Sequence, residues 1–269
     1  MSTIKSLTGL IVSLVFLGCE KTTETPMDSS TLAPLSIEFD NIVGGYNLQL
    51  GTGVYKNDAG EEYTVDLLQY FISNVSFTKA DGTVYTVPQD SSYFLIREGQ
   101  AADRFANMKV PVGDYKSVRF TLGVDSVRST LGIDKRKGVL DPSGGMESGM
   151  YWGWNSGYIF LKMEGTSASV PVDPSGQRKF RYHIGGFGGY NVQNINNIKV
   201  IDIDLQAGGV AKVRTGRAAN IHLLVDIAKV FNGTTTVSLA THPSVMFSEY
   251  SRLVANNYQY MFVHDHTEN

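Results

Sequence analysis

Apolar and polar residues alternate through much of the chain. Across residues 117–124 the even positions are Val118, Phe120, Leu122 and Val124, and the odd ones are Ser117, Arg119, Thr121 and Gly123. Successive side chains of an extended strand point to opposite faces, so this period of two predicts a strand with one buried face. Ile201, Ile203 and Leu205 alternate with Asp202 and Asp204 in the same way. Ile221, Leu223 and Val225 alternate with Asn220, His222 and Asp226, with Leu224 the exception. Phe180, Tyr182 and Ile184 alternate with Lys179, Arg181 and His183. Turn signals separate the runs: Ala80-Asp81-Gly82 joins 74–78 to 84–87 as a hairpin, and Asn57-Asp58-Ala59-Gly60 and Asn232-Gly233 are further breaks. Many short strands with this punctuation predict an all-β fold, a mostly antiparallel β-sandwich with a few short helices. The helical stretches are 247–257, with Leu253 and Val254 packing inward and Asn256-Asn257 ending it, and 124–131, opened by Asp125.

The N-terminus reads differently. Residues 1–18 form an export signal, with Lys5 as the positive end and an apolar run over 7–17 too short to span a membrane comfortably. Gly18-Cys19 then supplies the small residue and cysteine of lipoprotein processing, so Cys19 is the expected lipidation site. Phe16 and Leu17 are bulkier than the usual residues there, and an ordinary signal peptide cut elsewhere is the alternative. Residues 19–34, rich in Thr, Ser and Pro, read as a flexible tether, and 35–269 as one domain. The protein is thus expected outside the bacterial cytoplasm, in the periplasm or at the cell surface, held to a membrane by lipid.

Cys19 is the only cysteine, which excludes an internal disulfide and a thiolate metal site in the folded part. The formal net charge of −3 becomes −4 once Lys5 is removed, against the basic face that nucleic acid requires. The cluster Asp134-Lys135-Arg136-Lys137 reads as a solvated loop. There is no Gly-x-Ser-x-Gly elbow and no His-Glu-x-x-His, so the residues do not point to an enzyme.

Metal chemistry rests on five histidines: His183, His222, His242, His264 and His266. Imidazole suits copper and other late transition metals. In His264-Asp265-His266 the two imidazoles are two residues apart, and on a regular strand both face one side and could approach one metal; a frayed polar tail is the alternative. His183 sits on the polar face of its strand before Gly185-Gly186-Phe187-Gly188-Gly189, as a ligand or as a surface histidine. His222 shares the polar side of its strand with Asp226, which could orient it; it reads more simply as a satisfied structural histidine. His242 precedes Pro243 in a loop. Trp152 and Trp154 point the same way on a strand and form either a core pair or, if one is oxidised to expose an aromatic amine, a ligand.

Several segments, in order, resemble the methanobactin-operon P (MbnP-like) copper-binding domain family. They are Tyr70-Phe71-Ile72-Ser73-Asn74, Asp81-Gly82, Val112-Gly113-Asp114-Tyr115 and Phe120-Thr121-Leu122-Gly123-Val124-Asp125-Ser126. Leu140-Asp141-Pro142 and Met150-Tyr151-Trp152-Gly153-Trp154-Asn155-Ser156-Gly157-Tyr158 follow, then Lys162-Met163-Glu164-Gly165, Tyr182-His183-Ile184-Gly185 and His264-Asp265-His266. The resemblance implies a sandwich-like fold, an extracytoplasmic location and a copper site built largely from histidines. In related copper proteins of methane-oxidising bacteria a tryptophan converted to kynurenine takes part, and a di-haem cytochrome c peroxidase-like enzyme is the associated partner. Carried over, His183 is the main ligand, His264 and His266 are further ligands, and Trp152 or Trp154 is the residue modified. No histidine adjoins the tryptophan pair here. The function expected is copper capture or storage; the alternative is a lipid-anchored sandwich that binds glycans or proteins without metal.

Overall fold

The alternating segments become the strands of two sheets packed face to face in the computed structural model, which describes residues 30–142, 149–153 and 157–269. The principal strands are β1 (Leu32–Val43), β2 (Glu62–Lys79), β3 (Tyr93–Arg97), β4 (Phe105–Pro111) and β5 (Gly113–Leu122). They continue with β6 (Gly157–Thr166), β7 (Lys179–Gly185), β8 (Lys199–Asp204), β9 (Ala219–Asp226) and β10 (Phe262–Glu268). In the smaller sheet the order is β10–β9–β1, with β4 and the short strand Tyr46–Asn47 on the other edge of β1. The larger sheet runs β8–β5–β2–β6–β7 and ends on Ser244–Val245; β3 and Val84–Thr86 also pair with the long β2. Pairing is mostly antiparallel, as expected, but β1–β9 and β7 with Ser244–Val245 are parallel.

Inward positions of both sheets supply the core. Phe39 of β1 meets Tyr70 and Phe120 of the larger sheet edge-on, at 6.1 and 5.9 Å between ring centroids. One polar bridge crosses between the layers. The buried Asn41 donates to Glu98 Oε2 at 2.8 Å and accepts from the Tyr70 hydroxyl at 2.9 Å. Burial pushes the Glu98 carboxyl up, and the Asn41 bond opposes that shift. The larger sheet is covered locally on its other face as well. Tyr70 and Ile72 point into the main core, while Phe71 points away into a second cluster with Val124, Met150, Trp152, Tyr158 and Phe160.

The local sequence signals largely hold. Val84–Thr86 pairs with Ser76–Thr78 as the predicted hairpin. Helix α1 (Ser126–Thr130) opens on Asp125, whose side chain accepts from Arg128 N. Two details differ. β1 begins at Leu32, because residues 32–34 already pair with Pro111, Val110 and Lys109. Helix α2 (Glu249–Tyr258) buries Ser251, Val254, Ala255 and Tyr258, the spacing of one helical face, and this turns Leu253 outward at 38 % exposure. The chain then turns before β10, and His264-Asp265-His266 lies inside this last strand rather than in a frayed tail. Among the described residues no helix is long and apolar enough to cross a membrane.

The interlayer bridge generates a stability prediction. Asn41→Ala strips a partner from both the buried Tyr70 and the partly buried Glu98, and an unfolding titration in urea should show a loss of about 1–3 kcal/mol.

Candidate metal centre

β9 sends Ile221, Leu223 and Val225 into the core and leaves Asn220, His222 and Leu224 on the outer face. β1 runs parallel beside it, with Glu38 opposite His222 and Asp40 opposite Leu224. β10 runs antiparallel on the other side. His266 is opposite His222, but the next pair inward is His264 with Leu223, so Asp265 is an extra residue in the ladder. Such a β-bulge breaks the alternation of faces. Directly opposed residues share a face, so His266 joins His222 on the outside and His264 follows the inward-facing Leu223. The expectation that two-residue spacing would aim His264 and His266 at one metal therefore does not hold, because it assumed a regular strand.

The bulge assembles another trio. Asp265 Oδ2 lies 2.7 Å from His266 Nδ1 and 3.3 Å from His222 Nδ1, and the two imidazole rings are tilted 35° with centroids 4.8 Å apart. One donor atom from each of His222, Asp265 and His266 falls within 4.8 Å of the others. The outer nitrogens face further carboxylates: Asp40 Oδ2 is 3.7 Å from His222 Nε2, and Glu268 Oε1 is 3.6 Å from His266 Nε2. His222 Nδ1 is buried and makes no well-aligned hydrogen bond, although Asp265 Oδ2 lies 3.3 Å away. A hydrogen bond to Asp265, reinforced by the charges of Asp265 and Glu268, holds the His266 imidazolium above its ordinary pKa; the Asp265 carboxyl is lowered in return. Two imidazoles and a carboxylate form a nitrogen–oxygen donor set suited to borderline divalent transition metals.

The other histidines stand apart from this trio. His264 presses against the Gly208 backbone, where an added Cβ would come within 2.8 Å of its Cε1, and its Nε2 is 2.9 Å from Thr267 Oγ1. Burial pushes its pKa down. His183 lies on β7 of the larger sheet with Nε2 2.7 Å from Glu164 Oε1, an oxygen that Lys162 Nζ also approaches at 3.7 Å. The His183 bond leads the effects that lower the Glu164 carboxyl. His242 stacks on Tyr250, 3.6 Å between centroids. His183 thus shares no site with His264 or His266.

Trp152 is buried in the second cluster, edge-on to Phe247. Its ring stands over Gly185, where a Cβ would lie 2.8 Å from Cζ3, so only glycine fits there. His183 is two residues before Gly185 on the same face of β7, which puts Trp152 and His183 on one side of the larger sheet. Trp154 and Cys19 lie outside the described residues.

The MbnP family model matches residues 32–247, most of the chain. The chain belongs to the MbnP family. Among solved structures it is similar to MbnP from Methylosinus trichosporium, with 15% identity, a TM-score of 0.54, and coverage of 80% of this chain and 83% of that one. At that identity the likeness concerns the fold. No curated protein matches the chain. The residues matched to the MbnP family include His183, Trp152 and His222 but end before β10, so Asp265 and His266 lie beyond them.

Asp265→Asn removes the charge that favours imidazolium. The His266 pKa should fall toward the ordinary histidine value, as followed by NMR titration of its imidazole Cε1–H signal.

Proposed function

We propose that this MbnP-family protein binds copper outside the cytoplasm, at His222, Asp265 and His266. The observation that carries the reading is the convergence of two imidazoles and a carboxylate at the bulge, with a buried His222 nitrogen that faces Asp265 without a well-aligned hydrogen bond. Neutral imidazoles and a carboxylate fit divalent copper, and the flanking Asp40 and Glu268 orient the rings as outer carboxylates do for ligating histidines. The role is capture or storage rather than catalysis, in a protein tethered to the membrane by lipid on Cys19.

A second reading has its own observation. Trp152 packs over Gly185 on the same side of the larger sheet as His183, which offers a place for an oxidised tryptophan and an imidazole on one face. The di-haem cytochrome c peroxidase-like partner would supply the oxidation. Intact mass and peptide mapping of protein recovered from its native host test this, since kynurenine changes the mass of the peptide carrying Trp152 or Trp154.

Copper analysis after equilibrium dialysis separates the two. His222→Ala and His266→Ala should each abolish stoichiometric copper binding, while His183→Ala retains it. The opposite pattern moves the copper to the His183 side. Copper-free wild-type protein would leave a metal-free binding module. Protons compete for the ligands, so affinity should weaken as pH falls through the raised His266 pKa, by about tenfold per pH unit for each proton displaced, measured by competition with a chromophoric chelator.

A further inference from the structure

The trio described above supplies three donors, and its surroundings say how it is used. Closed metal sites fill all their positions with protein donors, whereas sites that exchange ligands keep one open. His222 Nδ1, His266 Nδ1 and Asp265 Oδ2 face one another. Every further donor nearby is turned elsewhere. Asp40 and Glu268 address the outer Nε2 atoms of the two rings, on the side away from Asp265. Asn220 donates to Glu38 and accepts from Ser36, and His264 is engaged by Thr267 on the other side of the bulge. The fourth position therefore has no protein donor among the described residues. It also opens outward: β10 ends its sheet, and the side chains of Asp265 and His266 are 45 % and 47 % exposed, against 16 % for His222.

Building on the copper reading, we infer that the protein hands divalent copper directly to an incoming chelating acceptor, which enters the open position before the protein ligands let go. The acceptor is a molecule that brings its own nitrogen, oxygen or sulfur donors. Its first donor forms a bond to copper; the exposed His266 and Asp265 bonds then break; His222, the most buried ligand, leaves last. Copper keeps its oxidation state throughout, and each released group takes a proton from water according to its pKa. The site is then a transfer point rather than a closed store.

The test uses the full chain loaded with Cu(II) and free histidine as acceptor, with transfer followed by stopped-flow absorbance. The expected rate constant rises in proportion to histidine concentration. Imidazole should also change the EPR spectrum of the loaded protein while copper stays bound. A rate that does not depend on histidine, with an EPR spectrum indifferent to imidazole, means a closed site limited by spontaneous release and overturns the inference while leaving the copper reading intact. Protein that takes up no copper, or keeps it in His222→Ala and His266→Ala, overturns the copper site itself and the inference with it.

Discussion

One extra residue in the last strand determines which side chains meet at this edge of the smaller sheet. A regular β10 would place His264 and His266 together on one face and Asp265 on the other. With Asp265 bulged out of the ladder, His266 stands across from His222 and Asp265 swings between the two rings. The chemistry of the site follows from that slip. It brings together side chains from strands some forty residues apart in sequence and places a carboxylate between two imidazoles.

The bulge can do this only because β9 is rigidly placed. β9 lies between β10 and a parallel β1, and its inward residues Ile221, Leu223 and Val225 are fully buried. A one-residue slip of β9 would send those residues into water, so the core holds the register and the register holds His222. Asp40 enters from β1 for the same reason. The trio is more buried on the His222 side and more exposed on the β10 side.

The larger sheet follows a different constraint. Its region around β2, β6 and β7 is buried on both faces, so the side away from the main core carries Phe71, Phe160 and Trp152. Gly185 is the consequence: the Trp152 ring occupies the space a side chain would need. Here Trp152 of the Met150-Tyr151-Trp152 block packs against the glycine run that follows His183.

Periodicity was enough to read the strands around Phe120, Ile203, Leu223 and Tyr182, the hairpin after Thr78 and the cap at Asp125, because each depends on residues near in sequence. The outward position of His222 on its strand was equally legible. Its partners were not: Asp226, four residues on, looked closest, yet Asp226 caps Ala228 and accepts from Gly44, while Asp40 and Asp265 are the carboxylates that approach His222. The sequence by itself determined which residues alternate, which type of donor is present and that thiolates are missing. Only the tertiary structure decided which strands lie side by side and where the ladder slips, since pairing is chosen by how well whole faces bury against each other, a property no local stretch contains.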